Sequence, residues 1–187
     1  MFRLILLLSF LLSSSNILAG SAFSEHSIWK KEADRIHVDP YVLYAIALTE
    51  SRRQWKTDKG VRPWPFTLNN RTLKRKVYPD LDSCLIAVKK LIKEKQYNVD
   101  IGVMQINWKW HAHRVSSVEE LLNPDHNVKV AADILSDELK VAKGDIVEAI
   151  ALYHSKNSKR GKDYSRKVIS IAVKMRQLYE QSLVAKK

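Results

Sequence analysis

The chain holds a single cysteine, Cys84, so no disulfide can close within it and the fold must stand on packing. Glycine and proline number five each in 187 residues, too few for a fold made of many tight turns. Several apolar patterns have a helical period, and the class expected is all-α. Internal repeats and low-complexity tracts are absent. After residue 22 no segment is long and apolar enough to be a membrane span. Acids are the scarcer charge: 20 Asp and Glu face 32 Lys and Arg, a formal net charge of +12. Such a balance suits anionic surfaces, such as cell-wall polymers or lipid head groups. Nucleic acid is the other standard partner of basic proteins. Against it, the Lys and Arg read as scattered among acids rather than gathered on one element, which describes a solvated face.

Residues 1–22 have the layout of a secretory signal: Arg3 at the start, the apolar core LILLLSFLL, then the small and polar SSSNILAGSA. The core is too short to span a bilayer. Cleavage after Ala22 fits a small-x-small pattern with Gly20, and cleavage after Ala19 is the alternative. No cysteine stands at the junction to carry a lipid anchor. Residues 23–187 are therefore expected as one exported, soluble domain, in the periplasm or another extracytoplasmic space.

Apolar periodicity places helices near 24–36, 40–52, 80–97, 101–109, 117–122, 124–142, 145–155 and 161–183. Their ends are marked. Asp39 and Pro40 open the second, Asn123 and Pro124 the sixth, and Gly144 closes the sixth. Asp145 and Glu148 have capping-box spacing. Cys84 falls on the stripe Leu81, Leu85, Val88, Ile92 and is expected to be buried and inert. Residues 53–79 read as a long stiffened loop, because Pro63 and Pro65 lack the N–H a helix needs and restrict their predecessors. Within it Trp64 and Phe66 either pack the loop onto the core or offer a sugar ring a stacking face.

One carboxylate stands out. In VDPYVLYAIALTES, residues 38–51, Glu50 follows Val42 and Ile46 at steps of four and so continues an apolar stripe. A solvated glutamate belongs on the opposite face, where it would simply pair with Arg52 or Arg53. Held against apolar surface instead, a carboxylic acid is desolvated and its pKa rises toward the range useful for donating a proton.

Three more stretches bear on Glu50: DIGVMQIN (100–107), NPDHNVKVAADIL (123–135), and AIALYHS (149–155) with YSRKVISI (164–171) behind it. The glycine before a run mixing Met104, Gln105 and Asn107 suggests backbone approaching a ligand, with amides able to read hydroxyl and acetamido groups. In this order, with Glu50-Ser51 at a helix end, they resemble the catalytic domain of soluble lytic transglycosylases, lysozyme-like enzymes that cut peptidoglycan. The resemblance spans roughly residues 25–175. It is closest to small stand-alone members associated with conjugation and secretion machinery, whose apparatus proteins are thereby possible partners. Tyr153-His154-Ser155 stands where many relatives have Tyr-Asn, so His154 either replaces that asparagine's hydrogen bonds or satisfies a helix-end carbonyl.

The resemblance implies that Glu50 protonates the glycosidic oxygen between N-acetylmuramic acid and N-acetylglucosamine, then accepts the proton of the muramic C6 hydroxyl as that oxygen attacks the anomeric carbon. It implies that the Tyr153 phenol orients Glu50, that Met104 and Gln105 are groove wall, and that Ser51 and Asn107 support the site. Tyr164 reads as packing or as a substrate contact. No metal and no cofactor are required. Two alternatives stay open. One is a hydrolytic muramidase in which Asp100 positions a water. The other is a non-catalytic wall-binding or assembly factor, which would not need the acid.

Overall fold

A computed structural model describes residues 27–55 and 60–184. The expected signal, 1–22, and the start of the helix expected from residue 24 lie outside the described residues. In chain order the elements are α1 Ile28–Arg35, α2 Pro40–Ser51, β1 Arg52–Gln54, β2 Val61–Pro63, β3 Thr67–Asn70, β4 Lys74–Val77, α3 Leu81–Lys93, β5 Val99–Ile101, β6 Ile106–Asn107, α4 Trp108–His111, α5 Pro124–Val141, α6 Ile146–His154 and α7 Ser158–Val184. Two short 3₁₀ turns, Ala112–Arg114 and Glu119–Leu122, join α4 to α5.

The helices begin where the caps said they would. The Asp39 carboxylate accepts from Tyr41 N at 2.9 Å with Pro40 in the first turn. Asn123 accepts from Asp125 N and His126 N, and Asp145 from Val147 N and Glu148 N. Each pairs donors that a helix start would otherwise leave unsatisfied. Beyond α5, Lys143 and Gly144 both turn left-handed, and Gly144 N returns to Leu139 O at 2.9 Å.

Helix α2 is the centre of the domain. Every residue from Val42 to Leu48 is buried, so the helix is apolar on all sides. It packs against α1, α7 and the β1–β2 hairpin, while α5, α6 and α7 pack in sequence beside it. The α6–α7 contact is close: a methyl on Gly161 would come 2.9 Å from Ala151 O. Cys84 is fully buried and burial pushes its thiol up to about 12, so it stays protonated and unreactive. Among the described residues no helix is long and apolar enough to cross a membrane.

The all-α expectation is corrected by two small antiparallel sheets. The stretch read as a loop, 53–79, forms the hairpins β1–β2 and β3–β4, and the helix read over 101–109 is largely the hairpin β5–β6. Strands of two to four residues are too short for an alternating pattern to show against a helical one. Backbone sterics decide the second case: Gly102 at φ +86° and Gln105 at φ +52° cannot lie within a right-handed helix. Only the one-turn α4 survives of that helix.

Strand order in the larger sheet is β4-β3-β5-β6. Its register puts Leu68 opposite Ile101 and Ile101 opposite Ile106, all buried in the core. The alternate positions put Arg75 opposite Asn69, Asn69 opposite Asp100 and Asp100 opposite Asn107. Side chains opposite one another across a ladder share a face. One face of the sheet is therefore apolar and the other carries a polar row.

The basic residues are not scattered either. The stretch 52–78 carries nine Lys and Arg against a single acid, Asp58. Strand pairing brings together cations that the linear sequence separates by loops.

Candidate active site

The last turn of α2 delivers Glu50 to a cleft of about 340 Å³. Its side chain is 18 % exposed, since the buried body of the helix draws it inward while the chain turns away at Arg52. The polar row of the sheet forms the floor, with Asn69, Asp100 and Asn107 all lining the cleft. Asp100 accepts from Asn69 Nδ2 at 3.1 Å and from Asn107 Nδ2 at 2.8 Å. Its carboxyl is held above the usual range, chiefly by burial; the two amides oppose that shift, Glu50 adds to it and His154 subtracts.

The third wall comes from α6. His154 places Nδ1 3.8 Å from Glu50 Oε1 and is 40 % exposed. Its ring stacks flat on Tyr164 of α7, centroids 4.1 Å apart and planes 2° from parallel. Tyr164 is buried, and its hydroxyl makes no hydrogen bond of ordinary geometry. It faces Glu50 closely enough that this carboxylate, after burial, helps hold the phenol protonated.

Tyr153 lines the cleft beside His154, but its hydroxyl donates to Met104 O at 3.0 Å. Its pKa is raised well above the ordinary phenol value by burial first, then by Glu50 and Asp100. The single proton of Tyr153 thus anchors the β5–β6 turn.

That turn is held from below. Buried Asn127 accepts from Met104 N at 2.7 Å and donates to Ile101 O at 3.0 Å and Leu121 O at 2.8 Å. A Cβ on Gly102 would stand 2.3 Å from Asn127 Nδ2 and 2.5 Å from Leu121 O. Gly102 therefore makes room for this clamp, and the expectation that its backbone approaches a ligand is corrected. Gln105 reaches back from the turn, donating Nε2 to Thr67 O at 3.0 Å and to Gly102 O at 2.8 Å, which leaves its Oε1 to accept.

Residues 27–169 match the family model of the transglycosylase SLT domain. The chain belongs to that family. No curated protein and no solved structure matches it. SLT domains are lysozyme-like catalytic domains of lytic transglycosylases, and their substrate is peptidoglycan.

Within this SLT domain the cleft brings together Glu50, Asp100, Gln105, Asn107, Tyr153 and His154 of the residues expected from sequence. Four others stand elsewhere. Met104 is fully buried in the core and is not groove wall. Ser51 is buried; its hydroxyl donates to Ala47 O and accepts from Trp64 N, tying the β1–β2 hairpin to the end of α2. Trp64 packs: its Nε1 donates to Tyr78 O at 2.7 Å, its ring meets Trp55 and Phe66 edge-on, and the Arg53 guanidinium lies 4.3 Å from its centre. Tyr164 lies behind His154 rather than in the cleft.

Sequence reading missed Asn69, Trp110 and His111. Trp110 lines the cleft and is 64 % exposed, offering an indole surface suited to a sugar face. The doubled tryptophan of WKWH, at the end of the helix expected over 101–109, was its signal. His111 is shifted down by burial and by Arg114 and His113, which favours the neutral ring. Asn69 gave no signal, since only strand pairing brings it to Asp100. Among the described residues no group of three or more His, Cys, Asp or Glu is arranged to hold a metal ion.

Proposed function

We propose that the protein is a peptidoglycan lytic transglycosylase acting outside the cytoplasm, with Glu50 as its acid and then its base. The observation that carries this is the placement of Glu50, largely buried at the end of an apolar helix yet lining the cleft of an SLT domain. A protonated Glu50 gives its proton to the glycosidic oxygen as the bond from the muramic anomeric carbon to that oxygen breaks. The resulting carboxylate then takes the proton of the muramic C6 hydroxyl while O6 bonds to the anomeric carbon. The product is a 1,6-anhydro end, and no water is consumed. One group does both proton transfers, so a site that limits its solvation serves the chemistry.

The neighbours supply orientation. Tyr164 presents its hydroxyl toward Glu50, and His154 covers the same carboxyl from the solvent side. Tyr153 takes an indirect part by holding the Met104 carbonyl and, through it, the turn bearing Gln105. Trp110 offers the ring on which a sugar can stack.

A second reading is favoured by Asp100, which lines the same cleft as Glu50 and keeps its carboxylate between two asparagine amides. There it could hold a water for direct hydrolysis, as in glycosidases with two carboxylates. Digestion of purified peptidoglycan distinguishes the two. Muropeptides ending in 1,6-anhydromuramic acid, lighter by one water than reducing ends, identify the transglycosylase; reducing ends identify the hydrolase. Glu50→Gln is expected to fold and to lose about 10²–10⁴ in rate, the span ordinary for general acid–base catalysis. Full activity in a folded Glu50→Gln protein would refute the assignment.

A further inference from the structure

The polar row on the floor of the cleft does not stop at Asn69. The next position across the ladder is Arg75 on edge strand β4, opposite Asn69 and therefore on the same face as Asp100 and Asn107. At a spacing of about 4.8 Å between strands, Arg75 starts roughly 10 Å from Asp100 along that row. Its side chain is exposed but anchored: Nη2 donates to Arg52 O at 2.5 Å. Arg52 directly follows the Glu50-Ser51 helix end. The Arg75 guanidinium thus joins the sheet floor to the end of the helix that carries Glu50.

Two arginines meet there without an acid. The Arg75 guanidinium lies against the Arg52 backbone, and its pKa is lowered by desolvation first and then by the charge of Arg52. Among the described residues no carboxylate forms an ion pair with either. A guanidinium with no carboxylate partner has N–H donors left to offer an anion, and the planar fork of arginine matches a carboxylate with two parallel N–H donors.

Resting on the peptidoglycan reading above, we propose that Arg75, with Arg52 beside it, binds a carboxylate of the peptide stem borne by the muramic residue next along the cleft. A glycan strand lying over Asn107, Asp100 and Asn69 projects its lactyl-linked stems sideways, and those stems carry free carboxylates. A phosphate from a lipid or wall polymer would suit the same donors. The alignment of Arg75 with the cleft floor favours a substituent of the strand itself. The site makes the enzyme prefer glycan that still bears peptides.

The test uses two substrates: glycan strands carrying uncrosslinked stems, and the same strands stripped of stems by an amidase. Arg75→Gln is compared with wild type and with Lys174→Gln, which loses the same charge on the exposed surface of α7. On stem-bearing strands Arg75→Gln is expected to lose about tenfold in kcat/KM, mostly through KM, the effect of one charge-assisted hydrogen bond to an anion. On stripped strands it should match wild type, and Lys174→Gln should match wild type on both. An equal loss on both substrates, or no loss on either, overturns the proposal. Should Arg75→Gln fold poorly, wild type is inhibited with the free stem tetrapeptide: inhibition by the acid and not by its fully amidated form supports the site, while equal inhibition or none overturns it. Wild type inactive on both strands would sink the peptidoglycan reading, a result distinct from an unchanged Arg75→Gln in an active enzyme.

Discussion

Asp100 accepts two amide hydrogen bonds and still has its carboxyl held above the ordinary value, because burial outweighs them. A carboxyl raised on folding favours the native state fully below its unfolded value of 3.8 and gives up that contribution as pH climbs through the higher folded value. At neutral pH the ionised Asp100 is therefore a cost to stability. Asp100→Asn removes the ionisation, so its melting temperature relative to wild type is expected to rise as pH goes from below 3.8 to neutrality. Thermal unfolding across that range checks it, and a constant difference would refute it. The same variant separates the two chemistries. It should keep activity within about tenfold if Glu50 works alone, and fall about 10²-fold or more if Asp100 positions a water.

Among the elements, the β5–β6 hairpin is the one on which the site most depends, and it is stabilised mainly from outside itself. Three residues and two residues of strand cannot hold a register alone. Asn127, from the second turn of α5, supplies three buried hydrogen bonds to the Ile101–Met104 backbone and the neighbouring Leu121. Asn127→Ala leaves one amide and two carbonyls buried without those partners, a loss of about 3 kcal/mol or more. The urea midpoint should fall accordingly, and activity should fall even where the variant is still folded, because Asp100, Gln105 and Asn107 ride on this hairpin. Gly102→Ala should fail in the same way, through a clash with Asn127 and a φ of +86° that a side chain disfavours. A Gly102→Ala protein as stable and active as wild type would mean the clamp can move aside. Helices were legible here and strands were not for a physical reason. A helix cap is written in adjacent residues such as Asp39-Pro40 or Asn123-Pro124, whereas one of the two partners of β3, the strand β5, lies about 30 residues away in sequence.

Taken whole, the molecule carries its positive charge unevenly. The β-hairpin region, 52–78, holds nine Lys and Arg against one acid, Asp58, while the helices mix both signs in short-range pairs such as Lys30–Asp34 and Lys129–Asp133. With a net charge of +12, retention on isolated cell-wall sacculi is expected to weaken with salt, since screening shortens the reach of exposed charge from about 8 Å at physiological ionic strength to about 3 Å at 1 M. Cosedimentation at low and high salt measures it. Binding unchanged over that range would mean that the cleft, and not the charged surface, holds the wall.

Residues adjacent in the chain were enough to settle the helical frame, the inert burial of Cys84 and the break at Pro63 and Pro65, because propensity, capping and short-range periodicity act over a few residues. They were also enough to single out Glu50, as a carboxylate continuing an apolar stripe. Packing alone decided the rest. It turned 101–109 into a hairpin that Asn127 clamps through Met104 N and Ile101 O, with Gly102 and Gln105 at positive φ. It gave the proton of Tyr153 to Met104 and left Tyr164 and His154 facing Glu50, which no spacing along α6 or α7 could foretell. It sent Trp64 into an aromatic cluster while exposing Trp110 to the cleft. And it set Arg75, Asn69, Asp100 and Asn107 in one line, since the face a strand residue occupies depends on register, and register is a property of the pair rather than of either strand.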